Sequence, residues 1–264
     1  MATFLDAYVA PKKDIPRGAY LSVSTVVVVA IVAFWCVLSY GGMVRSDFLP
    51  TPHEVAVAAI NGFNDGSLLV NTGVSVTEIM SGFIIASIFA VPLGILMGSF
   101  KIAEAALEPV TNFVRYLPVS ALIPLLILWV GIDIEEKISV IFIGTFFQQL
   151  IMIADVSRGV SQDLLDVSYT LGAGRRTVIW RVLIPATLPG VMDTLRVTLG
   201  WAWTYLVVAE LVAANKGLGY FILNSMRGLF TDQIFLGIMV IGLLGLITDQ
   251  VFKLLRNWLL PWAV

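Results

Sequence analysis

The sequence predicts an all-α membrane protein with about six transmembrane helices, and three observations carry that prediction. Of 264 residues, 58% are hydrophobic and 13% charged, with a mean hydropathy of +0.93; this leaves too little polar surface to coat a soluble globule. Apolar runs of about 20 residues, long enough to cross a bilayer as a helix, recur along the chain. Runs such as Val26 to Ala33 do not alternate in polarity as the strands of a membrane barrel must.

The first span runs from Tyr20 to Tyr40. It follows a polar tail, residues 1–19, and no Ala-x-Ala cleavage site comes after it, so it reads as a retained helix rather than a signal peptide. Cys36, the single cysteine, lies within this span and has no intramolecular disulfide partner. Thr51-Pro52-His53 then opens a short interfacial helix, Glu54 to Gly62. The second span, Thr72 to Phe100, contains Glu78 and a Gly94-x-x-x-Gly98 close-packing face. Pro118 and Pro124 interrupt the third, Leu107 to Val130. The fourth is shorter, Ile138 to Ala154; the fifth, Ile184 to Ala213, contains Arg196; the sixth is Ile234 to Leu255. Residues 20–264 thus form one transmembrane domain, with a polar loop at 157–185.

Net charge is −2, but the cations are unevenly placed. With six crossings, Lys12, Lys13, Arg17, Lys101, Arg158, Arg175, Arg176, Arg181, Lys253 and Arg256 share one face. The other holds Arg45, Lys137, Lys216 and Arg227 beside the acids Asp47, Asp65, Asp133, Glu135, Glu136 and Asp232. The positive-inside rule makes the first face cytoplasmic and places both termini there.

Several chemistries lack their residues. No G-x-x-x-x-G-K-[ST] phosphate cradle occurs; Gly172-Ala-Gly-Arg-Arg-Thr is the nearest approach and lacks the lysine. One histidine, His53, and one cysteine leave no set for zinc, haem or an iron–sulfur cluster. No G-x-S-x-G elbow appears. The expectation is a chain that is not an enzyme, binds no cofactor or nucleic acid, and works in lipid.

The loop is the most specific segment. Asp163 is a good N-cap, Leu164, Leu165, Ser168 and Leu171 recur at helical spacing, and Gly172 ends the helix. A short amphipathic helix held between two spans fits a groove on a partner protein or a flat position on the lipid surface; the pattern alone allows both.

This segment resembles the cytoplasmic loop of binding-protein-dependent ABC importer permeases, in which Glu-Ala-Ala, three residues, Gly, nine residues and Ile-x-Leu-Pro follow one another. Asp166, Val167 and Ser168 occupy the first three places, Gly172 the glycine, and Val182, Ile184 and Pro185 the last three. Every spacing fits, although Gly172 and Pro185 are the only identities. The likeness continues through Leu49-Pro-Thr-Pro-His-Glu-Val, Ser81-Gly-Phe, Val91-Pro-Leu-Gly, Leu117-Pro-Val-Ser, Leu195-Arg-Val-Thr, Val208-Ala-Glu-Leu and Lys216-Gly-Leu-Gly-Tyr, and is closest to the nitrate, sulfonate, taurine and bicarbonate branch. Two positions depart from that pattern: Glu78 stands where relatives usually have arginine, and Gln148-Gln149 where a proline is common.

The resemblance implies a type I ABC importer permease fold with a short cytoplasmic coupling helix, in a bacterial inner membrane. It implies a homodimer, two ATPase subunits that hold the ATP and magnesium, and an extracytoplasmic solute-binding protein. Asp163, Leu164, Leu165, Asp166, Val167, Ser168, Gly172, Val182, Ile184 and Pro185 would then couple to the ATPase. The cargo would be a small oxyanion or organic anion. The alternatives are an uncharged or cationic solute such as a pyrimidine precursor, a secondary transporter driven by an ion gradient, or a membrane-embedded enzyme.

An intramembrane charge needs a partner or a polar cavity. Arg115, just before Pro118, and Arg196 either contact a substrate oxyanion, which suits the guanidinium fork, or pair with Glu78, Glu210, Asp193 or helix-end carbonyls. Gln148, Gln149, Trp203 and Tyr205 are further candidates to line a path.

Overall fold

The computed structural model describes residues 15–263, and no strand occurs among them. Helix α1 (Arg17–Tyr40) leads to α2 (Pro52–Asn64) and α3 (Ser67–Ser99). After α3 come α4 (Lys101–Val114), α5 (Val119–Val130) and α6 (Ile134–Arg158). Helix α7 (Gln162–Thr170) precedes α8 (Arg175–Val178), a π-helical turn (Ile179–Leu183) and α9 (Ile184–Ala213). The chain ends with α10 (Leu218–Arg227), α11 (Thr231–Leu259) and a 3₁₀ turn (Pro261–Ala263). Among the described residues five helices are long and apolar enough to cross a membrane, and a sixth span is made if α4 and α5, bent by 96°, count as one. The six expected spans all fall on these elements. The tail expected over residues 1–19 lies largely outside the described residues, and α1 starts at Arg17.

Helix α3 packs along α6 because three glycines remove side chains from the contact. A Cβ at Gly82 would stand 2.8 Å from Ile141, one at Gly94 2.8 Å from Ile153, and one at Gly98 2.7 Å from the Ser157 Cβ. The Gly94-x-x-x-Gly98 face therefore serves packing within the chain. Serine hydroxyls close the end of this seam, with Ser99 Oγ 2.7 Å from Ser157 Oγ.

The central core joins α3, α6 and α9 through Ile79, Phe83, Ile141, Leu199, Ala202, Trp203 and Leu206. Helix α5 adds Ile123 and Leu126 against Val140 and Ala209. At the end away from α7, α2 packs on α11 through Val55, Ala58 and Leu236. Its start is fixed by a capping box: Thr51 Oγ1 accepts from the Glu54 amide at 3.2 Å, and Glu54 accepts from the Thr51 amide at 2.7 Å. Helix α1 has no buried residue. Trp35 is its anchor, donating to the Pro50 carbonyl at 2.9 Å and stacking on Phe235.

The break between α4 and α5 falls where the sequence placed it. Pro118 is the N-cap of α5 in extended conformation, and Arg115 caps the end of α4; a proline cannot continue the hydrogen-bond ladder of the helix before it. Pro92, Pro109, Pro124 and Pro189 lie inside helices that continue through them.

Candidate functional site

The bend opens a cavity of about 440 Å³ between the α4–α5 turn, α6 and α9. Arg115, Tyr116, Pro118 and Ser120 line it from the turn, Val140, Gly144, Phe147 and Gln148 from α6, and Thr204, Tyr205 and Val208 from α9. Gly144 makes room for Tyr205, whose ring would lie 2.6 Å from a Cβ there. Arg115 donates from Nη2 to Tyr116 Oη at 2.9 Å, while its Nε is buried with no hydrogen-bond partner. No acid among the described residues lies within ion-pair distance of Arg115.

Arg115, Pro118 and Gln148, taken from the sequence as path candidates, thus come together, and Tyr205 joins them. Gln149, Arg196 and Trp203 do not. One residue past Gln148 turns the side chain about 100° around the helix, so Gln149 is fully buried and donates to Thr198 Oγ1 at 3.3 Å. Trp203 is core, donating to Thr248 Oγ1 at 3.4 Å. Arg196 forms a bidentate pair with Asp249 of α11. Pairing was one of the two readings of Arg196; the partner is an acid that the sequence had not singled out, with Lys253 2.8 Å from its other side.

A second cavity, about 430 Å³, lies further along α6, toward its Ile134 end. Val74 and Glu78 of α3, Ile132 to Ile134 and Lys137, and Ala214 to Lys216 of the α9–α10 turn surround it. Loop assignments from the sequence do not hold here: Glu136 and Lys137, expected in a solvent-facing loop, are buried in α6 at 0% and 3% exposure. Their ion pair spans 3.3 Å, and Lys137 Nζ also donates to the Asp133 carbonyl at 3.3 Å. Glu210 pins the neighbouring turn, accepting from Ser75 Oγ and from the Gly219 amide, both at 2.5 Å. Ser75 Oγ accepts from the Leu218 amide at 2.8 Å, and Asn71 Oδ1 from the Gly217 amide at 2.9 Å. In the sequence this network showed as acids in apolar spans and as the family-resembling segments Val208-Ala-Glu-Leu and Lys216-Gly-Leu-Gly-Tyr.

At the far end, α7 projects from the bundle with no buried residue. Its N-cap is Ser161, two residues before the expected Asp163, which falls in the first turn and still complements the helix dipole. The helix ends at Gly172, as the sequence indicates. With φ at +83°, Gly172 donates to the Tyr169 carbonyl at 2.9 Å and Ala173 to the Ser168 carbonyl at 3.1 Å, the paired bonds of a Schellman motif. Leu164, Val167 and Leu171 face outward, whereas Leu165 lines a cleft of about 180 Å³ against the ends of α3 and α6. Asp166 is exposed and accepts from Gln162 Nε2 at 2.9 Å; Ser168 is half-buried and bonds the Leu164 carbonyl. Val182 lies in the π turn and Ile184-Pro185 opens α9. Pro185 lacks the amide that would bond back to Arg181, and the wider turn lies where that bond is missing.

The molecule is thus a multi-span helical bundle with a broken span beside a cavity and an exposed loop helix. Residues 90–261 match the family described as binding-protein-dependent transport system inner membrane component, and the chain belongs to it. It is 32% identical over 251 residues to the taurine transport system permease protein TauC of Escherichia coli K12, covering 93% of this chain and 90% of the relative. Identity to the putative aliphatic sulfonates transport permease protein SsuC of Bacillus subtilis 168 is 34% over 232 residues, covering 88% and 84%. The solved structure of the MetNI methionine ABC transporter in an inward-facing conformation aligns with a TM-score of 0.58 at 18% identity, covering 69% of this chain and 93% of that one. The fold is that of a type I ABC importer permease.

Proposed function

We propose that this chain is the translocation subunit of an ATP-driven importer for a small organic anion of the sulfonate type. The observation that carries the reading is Arg115: a guanidinium with no acidic partner, at the break of a span, in a cavity large enough for such a solute. Broken helices at mid-depth line transport paths, and the fork of an arginine matches a sulfonate oxygen pair. Relatives that carry taurine and aliphatic sulfonates in their names support the same class.

In this reading the face bearing α7 is cytoplasmic, as are both termini, and the protein resides in the inner membrane. Two copies enclose one path. Two ATPase subunits, which bind the ATP and magnesium, dock on the two α7 helices through the exposed Leu164, Val167 and Leu171. Asp163 and Asp166 offer charge at the rim of that contact. Gly172 and the segment Val182 to Pro185 link α7 to α9, so closure of the ATPase pair moves the spans and alternates access to the cavity. A solute-binding protein delivers the anion to the opposite face.

Reconstitution tests this directly. Proteoliposomes holding the chain and its ATPase should take up labelled sulfonate only with ATP and the loaded binding protein. Uptake that follows an ion gradient without an ATPase would overturn the reading in favour of a secondary transporter.

A further inference from the structure

We propose that the Arg115 cavity selects an anion whose far end is an uncharged, apolar chain, and that Ile143 and Val208 set this preference. The inference deepens the import reading above and rests on it. Among the described residues that line the cavity, Arg115 is the one charged side chain, and no carboxylate is present. An ammonium carried in on the far end of a solute would give up its water there without meeting a counter-charge, which is costly. Beyond the hydroxyls of Ser120 and Thr204 and the amide of Gln148, the accessible walls are apolar. Ile143 and Phe147 are half-buried, and Val208 is 37% exposed.

Helix geometry sorts these groups into two ends. The Tyr205 ring sits against Gly144, which sets α9 level with α6 at that point. The two helices run in opposite directions, since Ile134 at the start of α6 and Ala214 after the end of α9 line the same second cavity. Val208 therefore lies past the contact toward the Ile134 end, and Gln148 past it the other way, about 10 Å apart along the bundle. Helices α5 and α6 form a hairpin closed at residues 131–133, with Ile123 and Leu126 packed on Val140. The Pro118 turn, at the start of α5, thus belongs to the Gln148 end. One end of the cavity offers a guanidinium, an amide and a hydroxyl to an anionic head, and the other offers hydrocarbon to its tail.

Taurine and propane-1-sulfonate make a matched pair for the test, because they have the same head and nearly the same size and differ in an ammonium against a methyl group. The chain with its ATPase is placed in lipid nanodiscs without binding protein, and displacement of labelled propanesulfonate by methanesulfonate, propanesulfonate, pentanesulfonate and taurine is measured. Affinity should rise about threefold per methylene along the series, and taurine should bind about tenfold or more weaker than propanesulfonate. Val208→Ala should lower pentanesulfonate affinity about fivefold and leave methanesulfonate affinity within about twofold; Arg115→Ala should weaken all four ligands. If binding needs Arg115 but taurine equals propanesulfonate, or Val208→Ala weakens every sulfonate alike, the tail preference is overturned and the import reading stands. If no sulfonate binds, or binding ignores Arg115→Ala, the reading of this cavity as the path falls as well.

Discussion

At the scale of single residues, two arginines in apolar spans have opposite fates for a geometric reason. Arg196 lies where α9 faces α11, and Asp249 meets its guanidinium edge to edge. Arg115 lies at a helix end that has turned away from its neighbours, where Tyr116 compensates it through its hydroxyl at 2.9 Å and its ring centroid 4.7 Å from Cζ. Arg115→Ala should therefore lower sulfonate uptake at constant ATP about tenfold or more, chiefly through a raised KM, with thermal stability little changed. Arg115→Lys should recover only part, because a point charge does not reproduce the fork; an unchanged KM in Arg115→Ala would remove this residue from the path. Residue type and position in the spans put forward Arg115, Pro118, Gln148, Gln149, Arg196 and Trp203 together as candidates. They could not separate Gln148 from Gln149, because helix phase relative to neighbours is a tertiary property.

At the scale of elements, contact between helices is governed by where side chains are missing. Gly98 and Gly73 lie on the same helix, yet a Cβ at Gly98 would meet the Ser157 side chain at 2.7 Å while one at Gly73 would meet nothing within 4 Å. Gly98→Ala should destabilise the detergent-solubilised protein by about 1–3 kcal/mol, whereas Gly73→Ala should stabilise it by roughly 0.5–1 kcal/mol; melting temperatures decide between opposite signs. Gly172→Val forces a β-branched residue into the left-handed region at a cost of about 1–2 kcal/mol. It should loosen the end of α7, seen as faster amide exchange at position 172 and at Ala173, and reduce ATP hydrolysis coupled to transport. All the spans and the turn at Gly172 were legible beforehand, since both depend on local chemistry. The burial of Glu136 and Lys137 was not, because a charged pair next to a turn has the composition of a loop until a third helix covers it.

At the scale of the whole molecule, the proposed sidedness rests on where the cations lie. Arg158 pairs with Glu104 at 3.4 Å and Lys101 with Glu104 at 2.7 Å, which gathers charge beside α7, while the turns at residues 131–134 and 214–217 occupy the opposite end. In a Cys36→Ser background, a single cysteine at Ser161 should react with an impermeant thiol reagent only from the cytoplasmic side of sealed vesicles, and one at Asn215 only from the other. Labelling of both from one side would refute the topology. The exposed apolar surface of α1 and α11 is the face such a bundle turns toward lipid.

The π turn between α8 and α9 has a consequence for how that long rod keeps time. A π turn holds one residue more than the α turn it replaces, so every side chain of α9 is advanced by about 100° relative to a regular continuation of α8. The rod thus contains a phase offset, placed between the segment that leaves the loop helix and the stripe of Thr204, Tyr205 and Val208 that walls the cavity. Removing one residue from Ile179–Leu183 would restore a regular spiral and, with the loop helix held still, swing that wall to a different neighbour.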